Sequence, residues 1–130
     1  MASYSSYIAD RQMLVIHDDL ARQIALMLRQ EGSGRVDIAL DGLEGIECLS
    51  RQSYDIILLN YKMPRMNGAE MLRRIRQRGD RTPVIFVSAW DEYEIPEKIS
   101  DLAYDAWINT PYSHRHFVET IASTLHKHGR

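Results

Sequence analysis

The sequence predicts an α/β fold in which five parallel strands form one sheet with helices on both faces. Three observations predict it. Ile56-Ile57-Leu58-Leu59 is a short, unbroken apolar run rich in β-branched residues, the pattern of a strand buried on both sides. Similar short runs recur along the chain and alternate with stretches whose apolar residues fall at helical spacing. The runs also stop abruptly at polar residues, and in open α/β sheets ligands bind beyond the carboxyl ends of the strands.

The elements follow in order. Residues 1–10 read as a flexible lead-in to a domain over 11–126, with 127–130 as a basic tail. Met13–Ile16 is the first buried strand, closed by His17, Asp18 and Asp19. A helix through Leu20, Ile24, Met27 and Leu28 follows and stops at Glu31-Gly32-Ser33-Gly34. Val36–Ala39 alternates in polarity, which places it at a sheet edge. Asp41 caps the next helix, with Glu44 three residues on in a capping-box arrangement. That helix is expected to bury Leu43, Ile46 and Leu49. The Ile56–Leu59 strand ends at Asn60. Asn67 then caps a third helix, again with a glutamate, Glu70, at the third position. Val84–Val87 is a fourth strand closed by Ser88. A helix through Ile95, Ile99, Leu102 and Ala103 comes next, with Pro96 in its first turn. Ala106–Asn109 is a fifth strand, and Ser113 caps a last helix through Phe117, Ile121 and Leu125. Such alternation implies right-handed βαβ crossovers. The flavodoxin-like (βα)5 three-layer sandwich with strand order 2-1-3-4-5 fits, with its crevice between the first and third strands. His17, Asp18 and Asp19 should therefore meet Asn60 in space.

Composition narrows the function classes. The chain has 130 residues, 45% hydrophobic and 26% charged, with a net charge of −2. That balance suits one globular domain and gives no general attraction to nucleic acid or anionic membrane. No apolar run approaches the ~20 residues of a membrane span, and MASYSSYIAD lacks the regions of a signal peptide. A cytoplasmic location is expected. Cys48 is the single cysteine, which suits a reducing compartment and a buried structural thiol. The arginines among residues 73–81 read as a solvated helix face rather than a nucleic-acid reader. No Gly-rich phosphate loop and no nucleophile–base arrangement of the hydrolase kind is present, and no enzyme activity is expected.

The stretch Tyr54–Gly68, YDIILLNYKMPRMNG, resembles the centre of a bacterial response-regulator receiver domain, of the CheY-like superfamily. The resemblance extends over roughly residues 11 to 126. Asp18 matches one of the acidic metal-binding pair after the first strand, Ser88 the hydroxyl residue after the fourth, and Gly68 the loop glycine. Pro111 matches the proline after the fifth strand, where the family carries a cis bond. Three departures fall on positions that the resemblance makes catalytic. His17 replaces the other acidic residue, Asn60 the phosphoacceptor aspartate, and Thr110 the lysine.

These departures carry chemical consequences. An amide oxygen is a far poorer nucleophile than the carboxylate that forms an acyl phosphate. Mg²⁺ prefers oxygen ligands, typically carboxylates, and only Asp18 remains in register, so Mg²⁺ binding is expected to be weak or lost. Thr110 supplies no fixed positive charge for phosphate oxygens. A softer ion such as zinc on His17, Asp18 and Asp19 is not expected, because adjacent residues rarely converge on one ion. His114, His116, His126 and His128 are not expected to bind metal either, the last two lying in a frayed tail.

The implied function is that of a degenerate receiver, a pseudo-receiver. It would signal in a two-component or phosphorelay setting without phosphorylation, through protein contacts with a sensor kinase or an output domain. Trp107 stands where receivers carry an aromatic switch residue. Trp90, Tyr93, Ile95, Trp107 and Tyr112 are the candidate interaction surface. Homodimerisation through the fourth helix, fifth strand and fifth helix is a further implication of the resemblance. Two alternatives remain at this level: a phosphoacceptor using Asp18 or Asp55, and a small-molecule sensor using the altered crevice.

Overall fold

The computed structural model describes residues 5–95 and 103–129. Its elements are α1 (Ser5–Ile8), β1 (Met13–Ile16), α2 (Ala21–Gln30), β2 (Val36–Ala39), α3 (Gly42–Arg51), β3 (Ile56–Leu59), α4 (Gly68–Gln77), β4 (Val84–Ser88), β5 (Ala106–Asn109) and α5 (His114–Lys127). The strands form one parallel sheet in the order β2-β1-β3-β4-β5, as the alternation predicts. Ile16 is in register with both Ala39 and Leu59, and Ser88 with Asn109. β1, β2 and β3 end level, while β4 and β5 run two residues further because Leu59 is in register with Phe86; the residues that close the strands still share one rim.

The unbroken apolar runs have a direct explanation in the two cores. Successive strand residues point to opposite faces, and here both faces are covered. Met13, Val15, Ile56, Leu58, Ile85 and Val87 pack on one side with Ile24, Leu28, Phe117 and Ile121 of α2 and α5. Leu14, Ile16, Ile57, Leu59, Val84 and Phe86 pack on the other with Leu49, Leu72 and Ile75 of α3 and α4. Removing each such side chain from water contributes about 1.5–3 kcal/mol. The edge strand β2 keeps Asp37 because only its end residues, Val36 and Ala39, are buried.

The expected caps form. Asp41 accepts from the Glu44 N–H at 2.9 Å, Asn67 from the Glu70 N–H at 2.9 Å, and Ser113 from the His116 N–H at 3.1 Å. Glu44 reaches back to the Leu40 N–H at 3.0 Å.

Several expectations need correction. Residues 5–10 are no loose lead-in, for Ser5–Ile8 form a helical turn and Ile8 is fully buried in the α2/α5 core. The C-terminal histidines are docked rather than frayed. The His126 ring meets Tyr7 edge-on at 5.1 Å, and His128 Nε2 lies 2.5 Å from Asp105 Oδ1. Leu43 is exposed, because α3 turns Gly42 to Met66 and Gly45 to the sheet instead; a Cβ on Gly45 would stand 2.7 Å from Ile16 Cδ1. Cys48 is only half-buried, although burial still pushes its thiol pKa up. Arg76 does not face solvent freely. Its guanidinium donates to the carbonyls of Asp80, Thr82 and Ala103, tying the end of α4 to the segments entering β4 and β5. The helix expected through Ile95 to Ala103 falls mostly on residues 96–102, outside the described residues. Ile95 itself is half-buried against the α3/α4 core.

Candidate functional site

A cleft of about 510 Å³ opens at the carboxyl rim of the sheet. His17, Asp18 and Asp19 reach it from the end of β1, Asn60 from β3, Ser88 from β4 and Thr110 from β5. The residues singled out in the sequence thus meet in one place, apart from Pro111, which is exposed and does not line the cleft. The Thr110-Pro111 bond is cis.

Asn60 sits at the centre and is 7% exposed. Its side-chain amide donates to Asp18 Oδ1 at 2.8 Å and to the Lys62 carbonyl at 3.0 Å. The loop behind it has no slack. A Cβ on Gly68 would stand 2.5 Å from the Asn60 carbonyl oxygen and 2.8 Å from Tyr61 Cα, so only glycine fits.

His17 is 4% exposed. Its Nδ1 accepts from the Leu20 N–H at 3.2 Å, in place of a side-chain cap at the start of α2. The same atom lies 2.9 Å from Asp19 Oδ1 and 3.7 Å from Asp18 Oδ1. Nε2 is sealed from solvent without a well-formed hydrogen bond, though the Val87 carbonyl is near enough to favour a proton there. Burial lowers the imidazole pKa below its usual value, against the opposing pull of Asp19 and Asp18. Ligating atoms of the three side chains all lie within 4.8 Å of one another, a convergence that the sequence reading did not expect.

The rest of the rim is Leu20, Lys62, Met63, Pro64, Ala89 and Trp90. Lys62 lies over the Trp90 ring at 5.0 Å and lines the cleft. Sequence reasoning assigned Lys62 no role; its place two residues beyond Asn60, in the strand-end loop, was the available signal. The Trp90 carbonyl accepts from Trp107 Nε1 at 2.9 Å and from Asn109 Nδ2 at 3.0 Å, while the Trp90 N–H donates to Ser88 Oγ at 3.1 Å. Trp107 packs on Phe86 at 4.7 Å and Tyr61 at 6.2 Å, so the fifth strand is linked to the cleft through Trp90.

The five proposed surface residues do not form one patch. Trp90 and Trp107 join the cleft's aromatic cluster, and Tyr93 is 88% exposed. Tyr112 packs on Phe117 at 4.4 Å, on the opposite face of the sheet from Trp107. The strand-end turn at Pro111 sends the two aromatics to different sides, which spacing along the chain could not reveal.

Residues 13–122 match the response regulator receiver domain family. The chain is a receiver domain. It is 34% identical over 120 residues to the response regulator ArlR of Staphylococcus saprophyticus, covering 89% of this chain and 53% of that protein. It is 31% identical over 121 residues to an uncharacterized transcriptional regulatory protein, YkoG, of Bacillus subtilis, covering 90% of this chain and 52% of that protein. The chain spans about half the length of these curated relatives. Among solved structures it is similar to the receiver domain of the sensor histidine kinase PA1611 from Pseudomonas aeruginosa, which holds a magnesium ion in its active-site cleft. That likeness has a TM-score of 0.79 at 25% identity and covers 91% of this chain and 99% of the other.

The receiver family implies Mg²⁺, and the donors of this domain fit it poorly. Mg²⁺ demands near-octahedral oxygen ligation. Here an amide N–H of Asn60 points at Asp18 Oδ1, so a hydrogen-bond donor stands where a cation would be shared between two carboxylates.

Proposed function

We propose that this receiver domain is a pseudo-receiver that signals through protein contacts and performs no phosphoryl transfer. The Asn60–Asp18 hydrogen bond of 2.8 Å carries the reading. On this reading it takes over the role that a cation has in holding such a crevice together. The amide neutralises the lone-pair crowding that acidic residues would create there, and it offers no carboxylate nucleophile. Thr110, at the end of β5, brings no cation, and Lys62 is drawn to the Trp90 face instead. Asp55 does not supply an alternative acceptor, since it receives the Gln12 N–H at 2.8 Å at the amino end of the sheet. The domain catalyses no reaction on this reading.

Its partners are a sensor kinase or an output domain of a two-component pathway, in the cytoplasm. The domain makes no direct contact with nucleic acid, in keeping with its net charge of −2. No helix among the described residues is long and apolar enough to cross a membrane.

Incubation with a small phosphodonor and Mg²⁺, followed by intact-mass measurement, tests the reading. No gain of one phosphate is expected. A gain mapped to Asp18, Asp19 or Asn60 would sink it. A second reading, a small-molecule sensor, is favoured by the cleft of about 510 Å³ with Trp90 in its wall, a size usual for ligand sites. A thermal-shift screen with nucleotides and metabolites, repeated on a Trp90→Ala variant, separates the two.

A further inference from the structure

We infer that this domain associates with a second copy of itself, edge to edge, through β2. The two β2 strands would run antiparallel about a two-fold axis at Ile38 and join both sheets into one. The inference rests on the outer edge of the sheet and is independent of whether phosphoryl chemistry has left the cleft.

The first observation is which backbone groups of β2 face outwards. The carbonyls of Arg35 and Ala39 accept from the Met13 and His17 N–H groups at 2.9 and 3.0 Å, so the odd-numbered residues of this segment serve β1. The even-numbered residues Val36, Ile38 and Leu40 turn their backbone groups away. Two side chains mark that direction. Arg29 donates to the Val36 carbonyl at 3.0 Å, and Glu44 accepts from the Leu40 N–H at 3.0 Å. β2 is the last strand on its side of the sheet, and no hydrogen bond from outside the sheet meets the N–H or C=O of Ile38 among the described residues. Such an edge is a template for another strand. Arg29 and Glu44 guard its two ends and leave its middle open. Each gives up its backbone bond when the second strand arrives, because the Leu40 N–H of one copy then donates to the Val36 carbonyl of the other.

The second observation is where exposed apolar surface gathers. Leu26, Leu40, Leu43 and Tyr93 are the exposed large apolar residues among those described. Three of the four belong to this side of the molecule. Leu40 follows β2, while Leu26 and Leu43 stand on α2 and α3, the helices that pack against it. Arg22 of α2 shares a shallow groove with Leu40, and Arg29 reaches Val36. Leu26 lies between these two arginines at helical spacing from both, so it overhangs the outer edge of β2. Leucines gathered along an open strand edge mark a contact surface.

The third observation is self-complementarity, which selects a second copy as the occupant. With the axis at Ile38, the two Ile38 residues exchange both of their hydrogen bonds. Val36 and Ile38 point to the α2/α5 core, and on that face Leu40 of each copy covers Val36 of the other. On the other face Arg35, which pairs with Asp37 at 3.3 Å, comes opposite Asp41 of the second copy, a cation against an anion on both sides of the axis. The neighbouring registers fail. An axis at Asp37 opposes two Asp37 carboxylates, and an axis at Ala39 opposes Asp37 to Asp41. An axis at Val36 carries Leu40 beyond the end of the second strand. One register therefore satisfies hydrogen bonds, apolar cover and charge together, as a two-fold contact requires.

The test follows the full chain by sedimentation velocity over rising concentration. An edge this short buries less than a standard interface, so half-dimerisation is expected at roughly 10–500 µM. Leu40→Lys, a surface change, should weaken association at least ~10-fold. Ile38→Cys in a Cys48→Ser background should cross-link to itself under mild oxidation, because directly opposed residues lie within disulfide reach. Tyr93→Cys in the same background, beyond β4, should not. Wild-type protein compared by NMR at low and high concentration keeps the inference testable if a variant misfolds. Slower amide exchange at Ile38 and shifts at Leu26 and residues 35–41 are expected. A monomer at every concentration up to ~1 mM would overturn the inference. So would a dimer that Leu40→Lys leaves intact, or one whose shifts centre on β5 and α5. None of these outcomes bears on phosphoryl transfer, which the mass measurement decides separately.

Discussion

Substituting Asn60→Asp restores the side chain that an active receiver needs and should make this domain less stable. Asn60 is 7% exposed and its amide lies 2.8 Å from Asp18 Oδ1. The change removes a hydrogen bond to a charged group, worth about 1.5–3 kcal/mol. It also sets two carboxylates about 3–4 Å apart, a repulsion of about 5 kcal/mol at an effective dielectric near 20. The full sum is not reached, because the new carboxyl can take a proton instead. Protonating a group of pKa ~4 at pH 7 costs about 4 kcal/mol, which caps the electrostatic part. A loss of roughly 3–4 kcal/mol at pH 7 is expected, or a melting temperature lower by roughly 10–15 °C. The loss should shrink towards pH 5, where the proton is cheaper to bind. The assay is thermal and urea unfolding followed by circular dichroism, in EDTA and in ~10 mM Mg²⁺. Mg²⁺ should recover much of the loss in the variant and leave the wild type almost unmoved. The reasoning fails if the variant in EDTA matches the wild type within ~1 kcal/mol, or if Mg²⁺ raises the wild type by several degrees.

Three further outcomes follow from the same geometry. His17 has a pKa lowered by burial from an ordinary value of 6.5, so the folded state binds fewer protons than the unfolded chain. Its contribution is complete above that value and is lost as pH falls below it. In EDTA the urea midpoint should drop between pH 7 and 5.5, and His17→Gln should flatten that drop; equal slopes would refute the assignment. Gly68→Ala should cost about 1–3 kcal/mol by overpacking, since its Cβ would meet the Asn60 carbonyl; a change within ~0.5 kcal/mol would mean the loop relaxes freely. Arg76→Ala should cost about 1.5–3 kcal/mol by releasing the carbonyls of Asp80, Thr82 and Ala103, and Arg76→Lys should rescue less than half, because an ammonium lacks the planar fork.

The linear sequence determined the sheet, its order and the composition of its rim. Strands buried on both faces leave no choice but apolar residues at every position, so Met13–Ile16, Ile56–Leu59 and Val84–Val87 announce themselves. The caps at Asp41, Asn67 and Ser113 are local chemistry, spelled within four residues. Parallel strands bring their carboxyl ends to the same edge of the sheet, which is why His17, Asp18, Asn60, Ser88 and Thr110 could be placed in one crevice.

Tertiary structure alone decided what those residues do to one another. That the Asn60 amide turns to Asp18, that His17 presents Nδ1 to two neighbouring carboxylates, and that Lys62 leans on Trp90 are matters of side-chain direction across strands far apart in the chain. The same holds for Ile8, whose burial depends on α5 passing over it, and for Tyr112, which the turn after β5 carries to the opposite face from Trp107. Periodicity reports which side of an element is apolar. It carries no information on which partner meets that side, because that depends on packing between elements distant in sequence.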